Sequence, residues 1–339
     1  MNDRTPPKHS ERISRDLFLI RVPTPFPVGR TNVVLIKRDP VTLVDTGPNS
    51  DRSWEVLTAE LAQAGVSVAD IERLVITHLH LDHMGLAERI VQQSGAQVLA
   101  HPGVARGLTN FFRQWKIEDE HYAAIYPSLG MPGELAQTML DMSQPMKSLG
   151  CRIQSATPLQ DGDELEFEGQ IWRAIHTPGH TPHCLSLHQQ PAGCLICGDF
   201  LLPHITPNPL LYRPAEPWAL GMDALVQMLD SLNRIEKLQV QMVLPGHGRT
   251  FDDLKKTVAS HIRQRRVRHR RVLKTLSQGP MPAYELALRI FPSSPLAEIF
   301  LMLSEVLGHI GLGMMNNEID VYNEGGKNYY TLSRHVPFS

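Results

Sequence analysis

Five short apolar runs in this 339-residue chain each end in a turn that carries histidine or aspartate, and that repetition limits what the chain can fold into. VTLV leads into Asp45, RLVIT into His78, His80, Asp82 and His83, and WRAI into HTPGH, which ends at His180. CLIC leads into Gly198 and Asp199, and QMVL into Pro245, Gly246 and His247. Short runs of β-branched and aliphatic residues bounded by turn formers read as strands. A lone histidine at a strand end is ordinarily solvated or capped. Five such ends make sense together if the strands share one sandwich and bring their ends to a common edge.

Imidazole and carboxylate in one site suit zinc, and also manganese or iron(II), so residue type alone does not select the metal. In an extended or loosely turned loop, the spacing HLHLDH points His78 and His80 the same way. Asp82 and His83 are then left to reach a second ion nearby.

Strand and helix patterns alternate around these motifs, which argues for sheet layers covered by helices. Residues 17–22, 31–37, 41–44 and 73–77 read as strands, and 53–64 and 86–94 as helices. Between 103 and 151 the strand rhythm stops. Phe111, Trp115, Tyr122, Tyr126 and several methionines there form either a helical cap over a pocket or added packing. Strand patterns return from ELEFEG to GCLICGD, followed by a long helix over 217–238. After Phe251 come a basic helix over 252–276, helices over 283–291 and 296–313, and a hairpin signal around Gly325 and Gly326. The expected layout is a domain over 1–250, with a helical insertion at about 103–150, and a winged-helix-like domain over 251–339.

Composition is that of an ordinary globular protein, 42% hydrophobic and 20% charged, with a net charge of −2. Cys194 and Cys197 form a CxxC inside a strand, where residues three apart face opposite ways. A shared metal or redox pair is therefore not expected there. The N-terminal stretch is polar, without an apolar segment, and no uninterrupted apolar run reaches spanning length, so a cytoplasmic location is expected.

THLHLDH at 77–83 matches the HxHxDH signature of the metallo-β-lactamase superfamily, and VDTG, HTPGH, GDF and PGHG follow in that family's order. The chain resembles that family over roughly residues 15 to 250. The resemblance implies the αββα sandwich, an α/β fold, and a two-metal hydrolase. It implies that His78, His80 and His180 bind one ion and that Asp82, His83 and His247 bind the second. Asp199 would bridge the two, Asp82 would also orient the attacking water, and Asp45 would support the ligands from behind. Two divalent ions, zinc foremost, are the implied cofactors. The sequence departs from many members at Leu86, where a second glycine is usual, and at His183-Cys184, where Gly-His is usual. His204 and Tyr212 are candidates for the pocket wall and substrate contact. His101 and His176 are read as ordinary surface or core residues.

The leading reading is hydrolysis of a small ester, thioester or lactone, as in the glyoxalase II-like and lactonase-like members. The alternative is a nuclease of the same fold acting on RNA or DNA, favoured by the tail and by six arginines between 263 and 271. Those arginines spread around much of a helix rather than forming one stripe, so the tail is expected to serve packing or a homodimer and not nucleic acid. A flavin-dependent redox relative is disfavoured, because the last 90 or so residues are too short and too helical for a flavodoxin-like domain. No membrane partner is expected.

Overall fold

The computed structural model describes residues 10–213, 222–295 and 298–333. Parts of two expected helices, 217–221 and 296–297, lie outside the described residues.

Two sheets form the centre. The first has strands β1 (Ser10–Arg12), β2 (Leu17–Val22), β3 (Thr31–Ile36), β4 (Thr42–Val44), β5 (Arg73–Ile76), β6 (Gln97–Ala100) and β7 (Thr157–Pro158), in sequence order across the sheet. Pairing is antiparallel up to β4 and parallel from there to β7. The second sheet holds β8 (Glu164–Phe167), β9 (Gln170–His176), β10 (Leu185–Gln189), β11 (Cys194–Gly198) and β12 (Met242–Pro245). Its order is β12-β11-β10-β9-β8, parallel between β11 and β12 and antiparallel elsewhere.

Alternation along each strand creates the layers, since successive side chains point to opposite faces. Leu19, Val34, Val44 and Val75 from the first sheet meet Phe167, Trp172, Leu187 and Ile196 from the second in one buried cluster between the sheets. On the outer face of the first sheet, Ile20, Leu35, Leu43 and Leu74 pack against Leu57 and Leu61 of α1 (Asp51–Gln63). Beyond α1 come the single turn α2 (Leu81–Met84) and then α3 (Ala87–Ser94), whose Ile90 joins the same cluster. The insertion forms α4 (Pro102–Thr109), α5 (Phe111–Ile125) and α6 (Gly133–Ser143). On the outer face of the second sheet, Ile175, Leu195 and Val243 pack against Met228 and Leu232 of α7 (Ala224–Ile235). Four layers result, helices outside and sheets within. Cys194 falls in the cluster between the sheets and Cys197 in the outer one, so the pair faces opposite ways.

The C-terminal region contributes α8 (Leu254–Leu276), β13 (Met281–Pro282), α9 (Ala283–Ile290), α10 (Ile299–Met315), β14 (Ile319–Glu324) and β15 (Lys327–Leu332). α8 belongs to two cores. Its first turns, Leu254 and Val258, pack under the second sheet, while Val272 and Leu276 join α9, α10 and the insertion's Ile125, Tyr126 and Leu129. Among the described residues no helix is long and apolar enough to cross a membrane.

Candidate metal centre

Strand direction gathers the motifs. β4 and β5 are parallel in one sheet, and β9, β11 and β12 run the same way in the other, so each group delivers its C-terminal ends to one edge. The sheets are tied together at that edge. Asn32 N–H donates to the Gly246 carbonyl at 2.7 Å, and Leu185 N–H donates to the Thr77 carbonyl at 2.9 Å. The Asn32 side-chain amide also donates to the Pro245 and Gly248 carbonyls on either side of His247.

One segment differs from expectation. Asp82 and His83 sit in neither an extended nor a loosely turned loop but in the regular helical turn α2, where the His80 carbonyl accepts from both His83 N–H and Met84 N–H at 3.0 Å. The helical turn sends His83 back toward Asp45, while His80 remains on the extended side.

Seven side chains converge. His78, His80, His180 and Asp199 place one ligating atom each within 4.8 Å of one another, and Asp82, His83 and His247 do the same. All but the half-buried His80 are buried. Asp199 reaches both groups: its carboxylate lies 3.4 Å from His83 Nε2 and 3.3 Å from His247 Nε2, and 4.0 and 3.8 Å from His78 Nε2 and His180 Nε2.

The outer ring nitrogens are already occupied. His83 Nδ1 contacts Asp45 Oδ2 at 2.7 Å, His180 Nδ1 the Asn208 carbonyl at 2.9 Å, and His247 Nδ1 the Arg30 carbonyl at 2.9 Å. His78 Nδ1 lies 2.9 Å from Thr77 Oγ1, whose hydroxyl donates to Asp45 Oδ2. Carbonyl and carboxylate oxygens only accept, and the Thr77 hydroxyl already gives its hydrogen to Asp45, so each of these Nδ1 atoms carries a proton, and in the neutral ring Nε2 turns its lone pair inward. Those inward nitrogens crowd together. His80 Nδ1 lies 2.9 Å from His78 Nε2 and 3.1 Å from His180 Nε2, and His83 Nε2 lies 3.4 Å from His247 Nε2. Inward nitrogens this close to one another need a proton or a metal ion between them, and the buried Asp199 Oδ1 has no hydrogen-bond partner. The donor set therefore fits divalent ions.

The charges these side chains impose on one another follow the same logic. Burial opposes charge throughout, but Asp199, Asp45 and Asp82 raise His83 well above its ordinary value, and Asp199 with Asp82 brings His247 up to about 9. Burial pushes the Asp82 carboxyl up, yet His83 and His247 outweigh it and hold it at about 2. Burial and neighbouring histidines lower His80 to about 3.

Asp45 supports both groups at once. Its carboxylate accepts from Thr77 N–H and Thr77 O–H, each at 2.8 Å, and engages His83. Its backbone sits at φ 63°, the left-handed region that non-glycine residues avoid, which marks a position fixed by its surroundings. Gly246 is required for a different reason: a Cβ there would fall on Asp199 Oδ1 and the His83 ring. Thr31, whose hydroxyl donates to Asp82 Oδ2 at 3.0 Å, and Asn208 were not expected from the sequence.

The centre opens on a cavity of about 2400 Å³. Its wall includes Phe111, Trp115 and Tyr122 from α5 and Met139 and Met142 from α6, so the insertion lines the cavity as well as packing in both cores. Tyr212 also lines it, its hydroxyl donating to Asp223 at 2.6 Å. His204 is exposed and absent from that wall, where Ile205 and Thr206 stand instead.

Residues 26–247 match the sequence profile described as Metallo-beta-lactamase superfamily. The chain is 30% identical to YqjP of Bacillus subtilis, described as a probable metallo-hydrolase, over 95% of this chain and 99% of that protein. An atrochrysone carboxyl ACP thioesterase of Aspergillus fumigatus is 27% identical over 69% of this chain and 55% of its own length. Among solved structures, a metallo-beta-lactamase family protein of Thermus thermophilus superposes with a TM-score of 0.82 at 26% identity, covering 95% of this chain and 100% of that one. Profile, full-length relative, fold and the histidine–carboxylate edge agree: the chain belongs to the metallo-beta-lactamase superfamily.

Proposed function

We propose that this protein is a two-metal hydrolase of esters, thioesters or lactones, with a thioester bearing a bulky apolar acyl group as its substrate class. The observation that carries this reading is the opening of the seven-residue centre directly onto a large cavity walled by aromatic and methionine side chains. Such side chains form an adaptable apolar surface that suits an acyl group better than a phosphate backbone. The thioesterase among the relatives supports the thioester in particular.

His78, His80 and His180 would hold one ion, Asp82, His83 and His247 the other, and Asp199 both. Zinc suits this set best, as imidazole dominates it. Divalent ions held there supply Lewis acidity and make water acidic enough to deprotonate near neutral pH. The chain's own residues do the rest. Asp82, held ionised and anchored by Thr31, would orient the attacking water by accepting a hydrogen bond from it. Asp45 fixes the tautomers of His83 and, through Thr77, of His78. The four cysteines are buried, and burial pushes Cys184 up to about 12 and Cys197 well above its ordinary value, so no thiolate competes as nucleophile.

The test is a panel of acyl thioesters of graded length, aryl esters, lactones, a phosphodiester and RNA, with zinc-loaded and chelated protein compared. Chelator-sensitive thioester hydrolysis that rises with acyl size, and is lost in His180→Ala, is expected. Chelator-sensitive cleavage of RNA or the phosphodiester with inert thioesters would replace this reading with the nuclease one.

A further inference from the structure

We propose that His101, His176 and His183 form a separate site for a divalent transition-metal ion on the wall of the cavity. These residues come from three places along the chain. His101 follows β6, His176 ends β9, and His183 lies in the turn between His180 and β10. The same strand directions that gather the seven-residue centre bring them together beside it. All three line the cavity, and one ligating nitrogen from each lies within 4.8 Å of the others. Ring centroids of His101 and His176 are 4.5 Å apart, and those of His101 and His183 are 4.8 Å apart.

The site is built rather than accidental. A Cβ on Gly103 would run into the His183 ring, so a glycine at the start of α4 is what admits that ring beside His101. Available lone pairs can be named. His176 Nε2 contacts the Pro182 carbonyl at 2.9 Å and so carries the proton, which leaves Nδ1 free. His183 Nδ1 is buried without a partner, an unmet desolvation cost that an ion would remove. His101 Nδ1 accepts from Gly103 N–H at 3.1 Å, a helix-capping bond that coordination through that nitrogen must displace.

Burial, His176, His183 and Arg106 together push His101 down to about 4, and burial with His176 and Arg106 lowers His183 as well. The His101 and His183 rings therefore offer lone pairs rather than protons near neutral pH. Arg106 opposes a cation, but it is exposed and its field is screened by salt. Tetrahedral coordination with bonds of about 2.1 Å sets nitrogens roughly 3.4 Å apart, so the nitrogens must close in by up to about 1.4 Å and the rings, now stacked at 21° and 12°, must tilt to aim their lone pairs at one ion. A three-imidazole set suits zinc, nickel or copper over magnesium or calcium.

The experiment counts ions. Metal-depleted full-length protein is titrated with zinc against a chromophoric chelator, and bound zinc per chain is measured by mass spectrometry after desalting. His183→Asn and His176→Asn should each hold one ion fewer than the parent chain. With Asp82→Ala, His180→Ala and Asp199→Asn combined to empty the first centre, one ion should remain, and adding His183→Asn should remove it. Circular dichroism checks folding. His176 also ties down Pro182, so His183→Asn alone decides if His176→Asn does not fold. An ion count in folded His183→Asn equal to that of the parent would overturn the proposal.

Discussion

The Nδ1 of His180 donates to the carbonyl of Asn208 at 2.9 Å, and the side-chain amide of Asn208 donates to the Leu301 carbonyl in α10 at 2.8 Å. The C-terminal region thus aims a candidate metal ligand. It does so through further bonds: Leu211 N–H donates to Ser304 Oγ, and Arg265 pairs with both Glu305 oxygens and with the Pro207 carbonyl. Arg265 and Glu305 are 2% and 7% exposed, so neither charge is relieved by water. Arg265→Met strands the Glu305 carboxylate, and a loss of about 3–5 kcal/mol in unfolding free energy is expected. Calorimetric titration of the folded variant should show zinc uptake weakened at the His180 group more than at the His247 group.

Asp45→Asn keeps the size of the side chain but replaces one acceptor oxygen with an N–H group. The contacts to Thr77 and His83 cannot all be kept. Because Asp45 serves both groups, metal affinity or turnover should fall about 10–100-fold, and both ions should be affected. Zinc titrations beside steady-state rates check this, and loss of a single ion with the other unchanged would contradict it.

Zinc uptake should strengthen with pH. In the ion-free chain His247 sits at about 9 and His83 well above its ordinary 6.5, so each must release a proton before its Nε2 can bind. Affinity is expected to rise from pH 6.5 to about 9, with protons released into the buffer on binding. The ion-free protein should change in the opposite sense. Stabilisation from these raised values is complete below pH 6.5 and fades as pH rises through about 9. Isothermal calorimetry in buffers of different ionisation heat, with thermal melts of chelated protein, measures both.

Phe111 and Trp115 have different weights although both line the cavity. Phe111 is 3% exposed, and its ring lies so close to Gly150 that a Cβ there would strike it, so Phe111→Ala should cost about 3–5 kcal/mol of stability. Trp115 is half-buried, and its Nε1 has no partner. Trp115→Ala should shift preference among acyl chains while zinc content stays that of the parent. Competition assays with paired thioesters check this.

Nucleic acid should bind weakly. Of the six arginines in α8, Arg265 is buried and Arg268 sits 4.5 Å over the Phe291 ring, leaving Arg263, Arg266, Arg270 and Arg271 exposed. Most of α10, the helix that would enter a groove in a winged-helix protein, is buried in the C-terminal core. Mobility-shift assays at low salt with RNA and duplex DNA are expected to show no submicromolar complex.

Strongly patterned elements were legible in the sequence. The hairpin signal around Gly325 and Gly326 corresponds to β14 and β15, and the five motif-bearing runs became β4, β5, β9, β11 and β12. Legibility ended where partners meet across long stretches of chain. Thr31 reaches Asp82 over 51 residues, and no local pattern announces it. His101 and His176 read as ordinary because each stands apart in its own stretch, and their proximity exists only once both sheets are docked. The turn at α2 was missed for another reason. A four-residue helix is too short to show periodicity.

Placing the candidate ligands at the joint edge of two sheets has a consequence for assembly. His78, His80, Asp82 and His83 precede residue 100, whereas His180, Asp199 and His247 come from the other half of the chain. Neither half alone carries a full coordination set. Two fragments cut between β7 and β8 would therefore regain tight zinc uptake only on reassociation, so metal affinity could report complementation of a split chain.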